Sequence, residues 1–180
     1  MKDEEKIVEL LSFYRHDWLN DLQLLMGYAS MGKMDKVRDK IEAAIEAAKM
    51  ERRISNLNMS KTALWVISFN WYHSNFRLTF SVFKDYGNLS MFDESIHKQA
   101  VEFVQVLERC SDEMEMYEGT FLIQPFNEER TEVILSFQGK FSEEESLRSA
   151  LDTPDLENVI VEKEEEEIMT CSMSWICDSK

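Results

Sequence analysis

Cysteine and histidine, the residues that most often hold metals or form covalent crosslinks, are scarce in this sequence. Its 180 residues include three cysteines with no C-x-x-C pair among them: Cys110, Cys171 and Cys177. This odd number predicts neither a disulfide framework nor a zinc site, and it favours a reducing compartment. The three histidines lie far apart without a carboxylate or cysteine at ligand spacing, so no metal site is predicted.

Positive charge and long apolar runs are also lacking. Lysine and arginine number 20 against 35 aspartate and glutamate residues, which gives a formal net charge of -15. Such a charge repels the phosphates of nucleic acids and of anionic lipids, so no nucleic acid partner is expected. No apolar run approaches the roughly 20 residues that span a bilayer, and the first residues are charged. We therefore expect a cytoplasmic protein that does not enter a membrane.

Apolar residues make up 44% of the chain, and in its first third they recur with the period of an amphipathic helix. One stripe is formed by Ile7, Leu11, Tyr14, Trp18, Leu22 and Leu25. After a break at residues 31–33, a second stripe is formed by Met34, Val37, Ile41, Ala44, Ile45 and Ala48. This pattern predicts a helical hairpin. Because two helices cannot enclose such stripes alone, we expect a homodimer that forms a four-helix bundle.

A boundary between two modules, residues 1–58 and 59–180, is placed where the periodicity lapses into small polar residues. Ser60 is a candidate cap for a helix that carries the aromatic-rich run of residues 63–76. Strands are predicted at residues 78–82, 120–123, 132–137, 158–161 and 168–176, and a further helix at residues 95–116. The second module is therefore expected to be an α+β domain, with one sheet and helices packed on it.

Two conspicuous groups in the second module are interpreted as structural. Residues 162–167 are acidic apart from one lysine, and a charge run between two strands is more typical of a solvated loop than of a docking surface. The aromatic residues of the first expected helix are assigned to the core rather than to a ligand site. They are Trp65, Phe69, Trp71 and Tyr72.

Candidate chemistry is concentrated at His16, which lies on the first predicted helix. At about 100° per residue, this position falls opposite the apolar stripe, so the imidazole points away from the bundle core. The same face carries Ser12, Asn20 and Gln23, with Phe13 and Leu19 at its flanks. A polar centre with an apolar rim suits a partner protein that binds transiently.

An exposed neutral imidazole is nucleophilic near pH 7 and can accept a phosphoryl group through a loose, in-line transition state. Arg15 and Asp17 project to either side of His16. Arg15 can reach the developing phosphoryl charge, and Asp17 can bias the electrostatics of the imidazole. Asn20, one turn further on, can hydrogen-bond the ring or the partner. The alternative is that His16 is an ordinary solvent-facing histidine.

The segment Arg15-His16-Asp17-Trp18-Leu19-Asn20, followed by Leu22-Gln23-Leu24, resembles the phosphoacceptor helix of the sporulation initiation phosphotransferases of spore-forming bacteria. It is more distantly similar to the R-H-D-x-x-N helix of certain sensor histidine kinases. The resemblance extends along most of the chain, through the hairpin, the linker at residues 55–57 and the Phe69-Asn70-Trp71 stretch of the second module.

The resemblance implies a cytoplasmic homodimer whose four-helix bundle displays two active histidines. Each His16 takes a phosphoryl group from the aspartate of one response-regulator receiver domain and passes it to the aspartate of another, in the pathway that initiates sporulation. The second module is implied to be an α/β sandwich like a degenerate histidine-kinase ATPase domain, with docking and structural roles. Mg2+ is expected in the receiver domain. Partner contacts are expected from Ser12, Phe13, Leu19, Gln23 and Leu24, with Lys33 as a further candidate.

ATP binding is not expected, because the features that hold a nucleotide are missing. A kinase module of this type needs an asparagine-bearing helix for magnesium and triphosphate, followed by glycine-rich loops. The candidate helix at residues 93–100 has no asparagine, and Gly87, Gly119 and Gly139 stand alone. Two alternatives remain open: an ATP-dependent sensor kinase core, and a non-enzymatic dimeric adaptor for a response regulator.

Overall fold

The chain divides into two units, an N-terminal one and a C-terminal one. The structure, a computed structural model, describes residues 2–84, 87–141, 143–164 and 167–178. Contacts between residues divide the chain into Met1–Lys49 and Met50–Lys180. The boundary predicted between residues 58 and 59 stays a prediction. Within the described ranges, no helix has both the length and the apolar character needed to cross a bilayer.

The first unit is the predicted helical hairpin. Helix α1 spans Lys2–Ser30 and helix α2 spans Met34–Asn56, whose last residues belong to the second unit. Gly32 makes the turn between them with a φ of 69°, a left-handed conformation that glycine adopts without strain. An ion pair of 2.7 Å between Lys40 Nζ and Asp21 Oδ1 joins α2 to α1.

The apolar stripe of α1 is exposed in the single chain. Ile7 is 56% exposed, Leu11 58% and Trp18 64%, and none of residues 4–49 is fully buried. The exposed apolar residues of α2 include Met34, Ile41 and Ile45. The hairpin therefore has no closed core of its own, as expected of helices whose apolar faces require another pair.

The second unit is an α+β domain with one five-stranded mixed sheet. After the end of α2, its elements are α3 (Ser60–Tyr72), β1 (Phe76–Val82), a 3-10 turn (Ser90–Phe92), α4 (Asp93–Arg109), β2 (Tyr117–Pro125), β3 (Arg130–Gly139), α5 (Glu144–Leu151), β4 (Val159–Lys163) and β5 (Met169–Asp178). The strand order is β1-β2-β3-β5-β4, with β1 parallel to β2 and the other pairs antiparallel. This confirms the predicted fold class.

An aromatic cluster on one face of the sheet forms much of the core. Phe76 of β1 stacks on Tyr117 of β2 at 4.6 Å, and Phe137 of β3 packs against both Phe76 and Phe69 of α3. Gly119 lies opposite Phe137 across the β2–β3 pair, where a Cβ atom would come within 2.2 Å of the phenylalanine ring. Glycine is required at this position because the Phe137 ring occupies the space of its missing side chain.

Several predicted boundaries in this unit are wrong. The helix expected to continue through residue 76 ends at Tyr72, and Phe76 instead begins β1, where it joins the aromatic cluster. Helix α4 ends at Arg109 rather than at residue 116, since the residues that follow turn back toward β2. Tyr72, assigned to the core, is 53% exposed, whereas Phe69 is buried as expected. Helix α5 was not predicted at all.

The side chain of Asn70 explains how α3 and β1 meet. Its Nδ2 donates to the Leu78 carbonyl at 2.9 Å, and its Oδ1 accepts from the Leu78 N–H at 2.8 Å. The amide therefore pairs with the outer edge of β1 as a neighbouring strand would, and it satisfies backbone groups that an edge strand leaves open. The same interaction fixes the return of the chain after α3.

Ser60 was predicted to cap α3, and this is wrong, because Ser60 is the first residue of the helix itself. The cap comes from Asp93 at the start of α4. Its two carboxylate oxygens accept the backbone N–H groups of Lys61 at 3.0 Å and Thr62 at 2.9 Å. An ion pair between Lys61 and Glu94 lies beside it. A distant carboxylate thus satisfies the unpaired donors at the helix start, and it ties α3 to α4.

We predict that Asp93→Ala lowers the free energy of unfolding by about 1 kcal/mol, the usual cost of losing a helix cap. Burial raises the pKa of Asp93, but the N–H donors of Lys61 and Thr62 outweigh this effect and hold its pKa below the ordinary value of 3.8. Since the folded pKa is lowered, this stabilisation is present above pH 3.8 and is lost as the pH falls through the folded pKa. Urea unfolding of wild type and of Asp93→Ala, at about pH 7 and at about pH 2, measures the difference between their free energies of unfolding at each pH. An equal difference at the two pH values contradicts the prediction.

Candidate functional site

His16 lies on the exposed side of α1, where the helical arithmetic placed it. Its side chain is 74% exposed. The amide nitrogen Nδ2 of Asn20, one turn further on, lies 3.2 Å from ring nitrogen Nδ1, and Oδ1 of Asp17 lies 3.7 Å from the same nitrogen. Both contacts engage Nδ1. Among the described residues, none is hydrogen-bonded to Nε2, which is therefore accessible to a visiting molecule.

The orientation of the ring bears on its reactivity. For Nε2 to act as a nucleophile, it must keep its lone pair, so the proton of the neutral ring must reside on Nδ1. As placed, the Asn20 amide nitrogen donates to an unprotonated Nδ1; Asn20 accepts the Nδ1 proton when its amide is turned by half a turn, so that Oδ1 faces the ring. The carboxylate of Asp17 favours the same proton position. Asn20 and Asp17 thus both contact the ring at Nδ1.

Arg15 is directed along the same helix face. Its Nη2 lies 3.5 Å from Oγ of Ser12, one turn before His16, so the guanidinium extends toward the polar side of α1. Both groups are exposed. A cation held there can approach the oxygens of a phosphoryl group without entering a permanent buried ion pair.

The remaining predicted residues lie around His16 on the same helix. Leu19 is 50% exposed and Leu24 48% exposed, Phe13 is half-buried, and Gln23 is exposed. The structure therefore brings His16, Asp17 and Asn20 together as one group and places Arg15 with Ser12. The other four lie on the same helix, three to eight residues from His16.

The residues predicted from the sequence do not include those at the two ends of the α1 face that carries His16. Glu5 and Glu9, which are exposed, precede His16 by eleven and seven residues and share its side of the helix. Gly27 follows His16 by eleven residues on the same side. The helical arithmetic that located Ser12 and Gln23 would also have found these three positions, had it been extended by two turns in each direction.

Helix α4, which the sequence analysis considered for nucleotide binding, makes contacts with other parts of the second unit. The carboxylate of Asp93 accepts hydrogen bonds from α3, Glu94 pairs with Lys61, and Lys98 pairs with Asp155 at 2.8 Å. In the parts of the chain that the structure describes, no group of three or more histidine, cysteine, aspartate or glutamate residues is arranged to hold a metal ion. The first half of α4 thus serves to hold this unit together.

The described part of the chain thus places an exposed histidine on a helical hairpin that is followed by an α/β domain. Residues 1–57 match the family described as sensor kinase SpoOB-type, alpha-helical domain, and residues 58–173 match sporulation initiation phospho-transferase B, C-terminal. The chain is 29% identical over 139 residues to sporulation initiation phosphotransferase B of Bacillus subtilis (strain 168), which covers 77% of this chain and 72% of that protein. The chain belongs to the sporulation initiation phosphotransferase B family.

Replacing Asn20 by alanine is expected to reduce the fraction of His16 with its proton on Nδ1 and to slow phosphoryl transfer about three- to tenfold, as expected for one hydrogen bond. The tautomer is read from the 15N chemical shifts of the ring in the unphosphorylated protein. Gln23→Ala, which removes a similar amide from the same face, is the control and should leave the tautomer unchanged. Identical ring shifts in wild type and Asn20→Ala would show that Asn20 does not orient the ring.

Proposed function

We propose that this chain is a phosphorelay phosphotransferase of sporulation initiation, with His16 as the residue that carries the phosphoryl group. One response regulator donates from its phosphorylated aspartate, and a second receives the group on its own aspartate. The observation that carries the proposal is the exposed His16 ring, engaged at Nδ1 by Asn20 and Asp17, in a chain of this family. We place the protein in the cytoplasm, where receiver domains act.

The chemistry requires few groups from this chain. The lone pair of His16 Nε2 forms a bond to phosphorus while the bond from phosphorus to the aspartyl oxygen breaks, and its electron pair remains on the carboxylate. The ring gains positive charge, which the Asp17 carboxylate stabilises, and Arg15 faces the phosphoryl oxygens. In the second transfer, a carboxylate oxygen of the next receiver attacks phosphorus, and the electrons of the P–N bond return to Nε2.

The donor in this proposal is a phosphoprotein and not ATP. The sequence of α4 has no asparagine in its first half, and the side chains of its first turn are engaged with α3. We assign the Mg2+ ion that neutralises the phosphoryl oxygens to the acidic pocket of the receiver domain. The second unit then has docking and structural roles.

In the test, the pure chain is mixed with a receiver domain that has been phosphorylated by labelled acetyl phosphate in the presence of Mg2+. We expect wild type to acquire label on His16 and His16→Ala to acquire none while its affinity for the receiver stays within about twofold. His97→Gln, which alters a histidine of α4, is the matched control and should transfer normally. Label that arrives from ATP without a receiver would favour the kinase alternative, and receiver binding without transfer would favour the adaptor.

We further propose that the hairpin dimerises into a four-helix bundle, because its apolar stripes are otherwise exposed to water. Light scattering at micromolar concentration should give a mass of twice 21.2 kDa. Trp18→Glu places a charge in the stripe and should shift the equilibrium to the monomer. Leu19→Glu changes the next residue, about 100° around the helix, and should leave the dimer intact. A wild-type monomer of 21.2 kDa would contradict the bundle.

A further inference from the structure

The face of the sheet opposite the aromatic cluster carries a cavity of about 400 Å3. Its floor is made of short hydroxyl side chains that are register partners across three strands, in the order Thr79, Thr120 and Ser136. Its wall is made of longer side chains from the neighbouring row of the same strands, which are Arg77, Glu118 and Gln138. A depression therefore forms where short side chains lie beside long ones, and its volume is within the range of small-molecule sites.

Glu164 supplies one end of this cavity with a carboxylate that is held in position. The residue follows β4, and its side chain reaches back over the sheet. Its Oε2 accepts a hydrogen bond from Gln138 Nε2 at 2.8 Å, and its Oε1 accepts one from Thr170 Oγ1 at 2.7 Å. Among the described residues, no other group donates to these oxygens, so each keeps a second acceptor position for a ligand. Two such positions on one carboxylate match the parallel N–H donors of a guanidinium group.

Opposite charges lie side by side at the other end of the cavity. Arg77 and Glu118 are register partners on β1 and β2, both exposed, and within the described ranges no ion pair joins them. Arg77 Nη1 donates to the carbonyls of His73 and Phe76 at 2.7 and 3.1 Å, which holds the guanidinium in place. Its Nε and Nη2 are not bonded to any described residue. A guanidinium next to a carboxylate suits the carboxylate and the ammonium group of an α-amino acid, which share one carbon atom.

The separation of the two ends suits one extended amino acid with a cationic side chain. Arg77 lies on β1, and Gln138, which holds Glu164, lies on β3, two strand spacings or about 10 Å away. An extended arginine molecule measures about 9 Å from its carboxylate to its guanidinium nitrogens. The short side chains of the floor leave room for the methylene groups between the two ends. The formal net charge of -15 also attracts a ligand that is a cation overall.

We propose that this cavity binds a free basic amino acid of the arginine type. The carboxylate of the ligand pairs with Arg77, its ammonium group with Glu118, and its guanidinium group with Glu164. This inference assigns a ligand site to the second unit and does not depend on the proposed role of His16. A neutral amino acid leaves Glu164 without a cation, and an arginine within a protein chain lacks the free carboxylate and ammonium. Both are therefore expected to bind more weakly.

The test titrates L-arginine into the 15N-labelled full chain and follows the backbone amide signals of Thr79, Thr120 and Ser136. We expect saturable shifts of these signals with a Kd of about 1 mM or lower. L-Citrulline is the neutral isostere of arginine, and Nα-acetyl-L-arginine amide lacks both charges at the α-carbon. Each should bind at least about tenfold more weakly than arginine. Equal affinity for citrulline, or for the blocked amide, would overturn the assignment of a free basic amino acid.

Two glutamate variants locate the site. Glu164→Gln should weaken arginine binding by about tenfold or more, because it removes the charge that pairs with the guanidinium. Glu162→Gln is the matched control, since Glu162 is an exposed carboxylate in the same row of the sheet but does not line the cavity. It should leave the Kd within about twofold. The melting temperatures of both variants should stay within a few degrees of wild type. Wild-type signals that do not move at about 10 mM arginine, or equal losses of affinity in the two variants, would overturn the inference.

Discussion

The need to remove the apolar stripes of α1 and α2 from water is the constraint on which the functional half of this protein depends. None of residues 4–49 is fully buried in the single chain, although apolar residues recur on every turn of α1. In the proposed four-helix bundle, a second hairpin covers these stripes. The same helical period that gathers the stripe on one side places His16 on the opposite side. The gathering of the stripe on one side and the exposure of the histidine on the other are therefore two consequences of one geometry.

The second unit has a different physical basis. Its core is closed, with aromatic rings of α3, β1, β2 and β3 in contact, and its helices are joined by polar interactions such as that of Asp93 with the start of α3. The side chains at the start of α4 contribute to these interactions. A kinase of the related type would hold magnesium and triphosphate at this place. These polar groups therefore act within the second unit.

Sequence patterns predicted the parts of the structure that depend on neighbouring residues. The hairpin, the turn at Gly32, and the grouping of His16 with Asn20 follow from spacings of three and four residues, which contact each other on any helix. The strands were located by alternation, and their ends were misplaced by a few residues because strand ends depend on pairing partners. Helix α5 was missed because its short sequence carries only two buried residues, Leu147 and Leu151, too few to establish a period.

The sequence by itself determined the α+β class, the amphipathic hairpin and the face on which His16 stands, because helical periodicity is a local property of the chain. Only the tertiary structure decided that Asp93 rather than Ser60 caps α3, that Asn70 pairs with the edge of β1, and that Gly119 accommodates Phe137. These contacts join residues far apart in sequence or side chains whose rotamers depend on packing. Their energies arise only when the sheet and helices have assembled, so no local pattern encodes them.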